Sequence, residues 1–186
     1  MLLNDPHTPH MTPDPSPWVL RWSHLARDGG SALDVACGSG RHMRWLAEHG
    51  HPVTGVDRAE AALRSAAAFG RTVLADIENG PWPFAGESYD LVVVTNYLWR
   101  PRLPDIVAVL APGGVLLYET FAAGNETVGK PSRPDFLLQP GELLAACAGL
   151  RVVGYEDGYL ETPPRFVQRI AAVREAEPGA RHRLES

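Results

Sequence analysis

The sequence predicts an α/β fold, doubly wound about a mostly parallel sheet. Three observations carry that reading. Apolar runs of strand length alternate with helical stretches from Ala32 to Phe121. Glycine or proline punctuates the junctions, as at Gly50, Gly70 and Pro112-Gly113-Gly114. An acid stands near the carboxyl end of each of the first three runs, at Asp34, Asp57 and Asp76, where the loops of such a sheet meet ligands.

Residues 1–17 hold five prolines and read as a lead-in. Ser16 can cap a helix with Pro17 at its first position, and Trp18, Trp22, Leu25 and Ala26 fall at helical spacing. Two tryptophans on one face call for a partner: the body of the domain, or the active site beneath a lid. Ala32–Cys37 is a buried strand, Ser39–His49 a helix stopped by Gly50, and Val53–Asp57 a second strand. Ala59–Phe69 is an Ala-rich helix stopped by Gly70, and Thr72–Ala75 a third strand. Prolines and a glycine make 78–84 a loop. Tyr89–Thr95 is the most apolar strand and so is expected at the centre. A short helix over Asp105–Leu110 and a fifth strand over Val115–Phe121 follow.

The 18 residues of Ala122–Gln139 show no period, the mark of a functional loop inside a compact domain; its glycines and prolines suit a lid, and a packed surface loop is the alternative. Pro140 opens a helix through Ala148. Arg151–Tyr159 and Phe166–Val173, with no helix between them, predict an antiparallel edge hairpin. The domain is expected over 18–173 and a polar tail over 174–186.

A chain of 186 residues supports one domain with a sizeable core. Its net charge of −5 argues against a partner recognised through its phosphate backbone. Two cysteines, Cys37 and Cys147, make a disulfide scaffold or a Cys-based zinc site implausible. No signal peptide or membrane-length apolar run is evident, so a cytoplasmic protein without a membrane partner is expected.

The run Asp34-Val35-Ala36-Cys37-Gly38-Ser39-Gly40 is a strand, a small-residue loop and a helix start. Gly38 and Gly40 let backbone approach a ligand, and the helix offers free N–H groups. Asp57 suits both hydroxyls of a ribose. A dinucleotide fingerprint requires a third glycine where Met43 stands. Carboxylates are poor neighbours for pyrophosphate and good ones for a sulfonium and an ammonium, so S-adenosylmethionine fits better than NAD.

These residues resemble the motifs of class I S-adenosylmethionine-dependent methyltransferases. Residues 34–40 are similar to the family's Asp-x-Gly-x-Gly-x-Gly, with Ala36 for its first glycine. Asp57 matches the ribose acid, and Ala75-Asp76-Ile77 resembles the adenine motif. Tyr89–Tyr97 resembles the fourth-strand motif, and Leu110–Leu116 the approach to the fifth. Within the class, the chain looks most like the small tellurite-resistance-type branch.

The resemblance implies a Rossmann-like seven-stranded sheet of order 3-2-1-4-5-7-6. It implies cofactor contacts at Asp34, Ala36, Gly38, Gly40, Asp57, Arg58, Asp76, Ile77 and Thr95, and a substrate face at Asn96, Tyr97 and Glu119. The implied reaction is in-line methyl transfer to a small-molecule nucleophile, which needs alignment and exclusion of water more than a base. His42 is a candidate base and Arg41 a candidate for the cofactor carboxylate or a substrate anion. Arg100 and Arg102 are surface charges or anion ligands. Asn96 lacks the Pro-Pro-Tyr context of nucleic-acid base methylation. The alternatives are a nicotinamide-dependent reductase on a similar fold and a non-catalytic S-adenosylmethionine-binding protein. The sequence leaves open the methyl acceptor and the atom methylated, whether a general base is used, the oligomeric state and the role of the N-terminal tail.

Overall fold

The computed structural model describes residues 14–185; most of the proline-rich lead-in, residues 1–13, lies outside them. Seven strands form one sheet of order β3-β2-β1-β4-β5-β7-β6. They are β1 (Ala32–Val35), β2 (Val53–Asp57), β3 (Arg71–Leu74), β4 (Tyr89–Thr95), β5 (Leu110–Phe121), β6 (Arg151–Glu161) and β7 (Pro164–Val173). The first five pair in parallel. β7 runs antiparallel to both β5 and β6. The expected order and edge hairpin are both present.

Side-chain parity divides the core into two layers, because alternate residues of a strand face opposite ways. Ala32, Val53, Leu91, Val93, Val115, Leu117, Ala171 and Val173 pack under α1 (Pro17–Trp22), α2 (Arg41–Glu48) and α3 (Glu60–Ala66). Leu33, Val35, Val92, Val94, Leu116, Tyr118 and Ile170 face the side of α4 (Leu103–Ala108) and α5 (Glu142–Ala146). β4 is buried almost throughout, in keeping with its central place.

α1 starts where the sequence indicates: the Ser16 hydroxyl accepts from Trp18 N–H, and Pro17 opens the helix. Its tryptophans pack on the sheet, with Trp18 Nε1 donating to the Ile170 carbonyl at 3.1 Å and Trp22 lying on Gly154. They are core rather than lid.

Several boundaries move. α2 begins at Arg41, not Ser39, because Gly40 takes φ 81°, the left-handed region, as its N-cap. The helix expected over Asp105–Leu110 runs from Leu103 to Ala108, since Pro104 suits a first turn. β5 reaches back through Pro112-Gly113-Gly114 to Leu110, which pairs with Tyr89 across a register shift.

The long loop is not free-standing. It carries 3-10 turns at Asn125–Thr127 and Pro134–Phe136. Leu137 and Leu138 are buried, and Ala122 bridges Leu138. Arg100 ties it down, donating to the carbonyls of Asp135 (2.8 Å) and Leu137 (2.9 Å) and to Glu142 (2.6 Å). This corrects the reading of Arg100 as a surface charge or anion ligand: backbone carbonyls and a carboxylate already fill its fork.

Gly55 on β2 is required by space. A Cβ there would lie 2.7 Å from Cys37 Sγ and closer still to Met43 Sδ. Gly55→Ala is therefore expected to destabilise the fold by about 1–3 kcal/mol, the range for overpacking a dense core. Urea denaturation checks this; a midpoint equal to the parent's would show that the layer under α2 is loosely packed.

Candidate functional site

The site lies along the carboxyl ends of the parallel strands, where the connections from β1 and β4 diverge. It has an open cleft beside β2 and β3 and, next to it, a buried polar cluster at the ends of β1, β4, β5 and β7.

The cleft, of about 120 Å³, is lined by Ala36, Val56, Asp57, Arg58, Ala75, Asp76, Ile77, Glu78 and Tyr97. Its geometry follows from two acids that shape backbone. Asp57 accepts from Gly38 N–H and from Ala59 N–H, each at 2.8 Å, so one carboxylate holds the loop after β1 against the turn after β2. Asp76 accepts from Glu78 N–H, Asn79 N–H and the Asn79 amide. The Asn79 side chain, then its backbone, holds the Asp76 carboxyl below its usual range.

Arg102 donates to the carbonyls of Ile77 and Gly80 and to Asp105, fixing the same turn from outside. Like Arg100 it is a structural tie, not a free charge. Arg58 is largely exposed and lies 3.7 Å from Glu78.

Ala36 has φ 55°, the left-handed region that costs an L-residue about 1 kcal/mol. The family motif places glycine at this position, and the backbone here keeps the glycine conformation with a Cβ added. Asn96, after β4, also takes φ 54° and is exposed, with its N–H given to the Glu119 carbonyl at 2.9 Å.

The buried cluster extends the apolar row under α1 and α2. Asp34, Thr95, Glu119 and Arg169 continue the parity of Ala32, Val93, Leu117 and Ala171, so they point to one side at successive strand ends. Glu119 is 2% exposed. The Ser16 hydroxyl donates to its Oε1 at 3.1 Å and Arg169 to its Oε2 at 3.2 Å. Arg165 approaches at 3.7 Å. Arg169 also binds Glu156 at 2.6 Å and lies over the Trp18 ring. Arg41 lies 3.4 Å from Thr95 Oγ1 and from the Asp14 carbonyl.

Asp34 is 1% exposed and its Oδ2 lacks a hydrogen-bond donor. Burial pushes its pKa up to about 8, against a smaller opposing pull from Arg41. His42 is equally enclosed; burial, then the charge of Arg41, pushes it down to about 3. Between those values both groups are neutral, so their 3.9 Å approach is not an ion pair. His42 Nε2 accepts from Ser16 N–H at 3.1 Å, which occupies the lone pair a base would use. Burial likewise raises the Cys37 thiol and the Tyr97 phenol. The Tyr97 hydroxyl is buried without a partner, while its carbonyl accepts from Tyr118.

All twelve residues named from sequence border this crevice or build its loops. Sequence reasoning missed Arg165 and Arg169. The available signal was two arginines four apart in β7, hence on one face that is otherwise apolar at Val167, Ala171 and Val173. A larger, shallow depression of about 510 Å³ lies at the opposite edge of the sheet. Its Arg71 and Glu87 satisfy each other at 3.0 Å, and it shares nothing with the strand-end crevice.

Residues 32–114 match the methyltransferase domain family. Among curated proteins, a malonyl-[acyl-carrier protein] O-methyltransferase of Serratia marcescens is 37% identical over 106 residues, 52% of this chain and 40% of its own length. A trans-aconitate 2-methyltransferase of Streptomyces avermitilis is 32% identical over 61% of this chain and 47% of its own. The chain thus spans under half the length of these relatives. TehB from Haemophilus influenzae shares the fold at a TM-score of 0.63 and 23% identity, over 78% of this chain and 58% of that one.

The lining of the crevice can be tested against S-adenosylmethionine, the cofactor the motif resemblance implies. The left-handed turns at Ala36 and Gly38 border the cleft, and the unpartnered Asp34 oxygen and Tyr97 hydroxyl leave polar positions a ligand would complete. Gly40 corrects the expectation: a Cβ there would lie 2.9 Å from Ala66 Cβ, so packing against α3, not approach to a ligand, requires the glycine.

His42 yields a pH test. The unfolded chain takes up the imidazole proton near pH 6.5, the folded chain only near 3. Folded-state stability is therefore lost as pH falls from 6.5 towards 3, by up to about 1.4 kcal/mol per unit. Asp34 acts oppositely, costing stability as pH rises from 3.8 to about 8. His42→Gln keeps an acceptor for Ser16 and removes the first effect. The stability difference between parent and variant, from denaturant melts at pH 7, 5.5 and 4.5, should shift in the variant's favour with each acid step. A constant difference would place a charged imidazole in the folded chain.

Proposed function

We propose that the chain transfers a methyl group from S-adenosylmethionine to a small-molecule nucleophile by in-line displacement. One observation carries the reading: a cleft of about 120 Å³ lined by Ala36, Asp57, Asp76, Ile77 and Tyr97 lies at the strand ends beside the buried carboxyls of Asp34 and Glu119. Asp57 would hold the ribose hydroxyls with the lone pairs left free by Gly38 and Ala59. Ile77 and Asp76 would meet the adenine, beside Arg58. Gly38 and Ala36 would let the backbone approach the ligand, while Gly40 seats the start of α2 against α3. Asp34 and Thr95 would face the amino-acid end, and Asn96, Tyr97 and Glu119 the acceptor.

Bound S-adenosylmethionine supplies an activated sulfonium methyl that leaves a neutral thioether behind. What remains for the protein is alignment and exclusion of water. Ser16, Trp18 and β7 close over the buried cluster on the acceptor side. The printed names of the curated relatives, one for an acyl-carrier-bound malonyl group and one for trans-aconitate, support a small-molecule acceptor. Among the described residues no helix is long and apolar enough to cross a membrane.

Thermal-shift measurements with S-adenosylmethionine, S-adenosylhomocysteine, NAD and NADP test the class. Stabilisation by the first two alone is expected; stabilisation by NAD alone would overturn it. Asp57→Ala should weaken S-adenosylmethionine binding by about 1.5–3 kcal/mol, the worth of a hydrogen bond to a charged group. Unchanged affinity by calorimetry would remove Asp57 from the ribose.

A further inference from the structure

Tyr97 follows β4 with a hydroxyl that no protein group meets. Its backbone is held in place. Asn96, at φ 54°, gives its N–H to the Glu119 carbonyl at 2.9 Å, and the Tyr118 hydroxyl donates to the Tyr97 carbonyl at 2.8 Å. The Tyr97 side chain lines the cleft with Asp76, Ile77 and Glu78. Its hydroxyl oxygen is closed to water and has no hydrogen-bond partner, so it carries a desolvation cost that nothing in the protein offsets.

The groups around it are already engaged. Asp76 accepts from Glu78 N–H at 3.0 Å, Asn79 N–H at 3.1 Å and the Asn79 amide at 2.9 Å. Those donors fill most of the roughly four lone-pair sites of a carboxylate. Glu78 lies 3.7 Å from Arg58. Arg102 directs its fork to the Ile77 and Gly80 carbonyls and to Asp105. This wall of the cleft is therefore fixed and has little hydrogen-bonding capacity left, whereas the Tyr97 hydroxyl keeps all of its own. Burial raises the phenol, Glu78 and Asp76 add to this, and Arg102 and Arg58 oppose it, so the hydroxyl keeps its proton at neutral pH. The two carboxylates draw that proton towards themselves and leave the oxygen lone pairs for a ligand group that donates.

We propose that the Tyr97 hydroxyl accepts a hydrogen bond from the exocyclic amine of the cofactor's base, and that Tyr97 thereby selects an aminopurine nucleoside. The proposal rests on the S-adenosylmethionine reading and adds how the base is chosen. Asn96 and Tyr97 leave β4 together on the acceptor side, but the Tyr97 side chain lines the nucleoside's cleft. A base with a carbonyl oxygen in place of the amine sets an acceptor against acceptors, and a site built to receive a donor rejects it.

Calorimetry on the full chain tests this with S-adenosylhomocysteine, 5′-methylthioadenosine and S-inosylhomocysteine, whose base carries oxygen for the amine. The parent should bind both adenosyl ligands and prefer S-adenosylhomocysteine over its inosyl counterpart by about tenfold or more. Tyr97→Phe should weaken both adenosyl ligands by one common factor, about three- to tenfold, the range for one neutral hydrogen bond. It should narrow the preference over the inosyl ligand by the same factor. Without ligand the variant should melt no lower than the parent, because it loses an unpaired hydroxyl and no bond. Unchanged S-adenosylhomocysteine affinity, an undiminished preference over the inosyl ligand, or an unliganded variant that melts lower than the parent would overturn the proposal alone. A parent chain that binds none of the three ligands would overturn the S-adenosylmethionine reading beneath it.

Discussion

Parallel strands must release their chains at one edge, and that constraint sets everything else in this molecule. β1 and β4 lie side by side at the centre with their carboxyl ends level, Val35 opposite Val94. Their continuations leave to opposite faces, one into α2 and the other towards α4. The crevice between them cannot be filled by either connection. Backbone in the crevice then has to turn sharply, and Ala36, Gly38, Gly40 and Asn96 all do so with positive φ. Asp57 ties the first of these turns to the neighbouring strand through Gly38, so one carboxylate braces the loop after β1.

The sheet was legible because its signals are local. Alternation of apolar runs and helical stretches, with glycine stops, gives parallel pairing through Phe121, and the two helix-free runs at the end give the hairpin. Parity also carries information across strands: Asp34, Thr95 and Glu119 interrupt three apolar rows on the same face. The crevice beside β2 and β3 was readable for the same reason, since each acid follows its strand directly. Long-range partners were not readable. Nothing near Arg100 or Arg102 in sequence indicates that their forks close on carbonyls at 135, 137, 77 and 80. Nor does Arg165 announce that an antiparallel strand will bring it beside Glu119, because that depends on the register of β7 against β5.

Two buried carboxyls in one cluster illustrate how environment divides roles. Asp34 and Glu119 are almost equally hidden, at 1% and 2% exposure. Asp34 has one backbone donor in Met43 and an unmet oxygen, and burial holds it protonated up to about pH 8. Glu119 is met by a hydroxyl and two guanidinium groups. One is therefore poised to change its charge when a cation arrives, and the other is part of a standing charge network.

Ser16 links that network to the fold itself. Its backbone N–H goes to His42, its hydroxyl donates to Glu119, and the same oxygen caps α1 at Trp18. The start of α1 is thus fixed by residues at the ends of β5 and in α2, 103 and 26 positions away. Trp18 then covers Arg169 and reaches β7, so the segment that closes over the cluster also covers the arginine that holds Glu119. Loss of the Ser16 hydroxyl would remove a helix cap and a carboxylate partner together, which couples the acceptor wall to the packing of α1 more tightly than either element's sequence suggests.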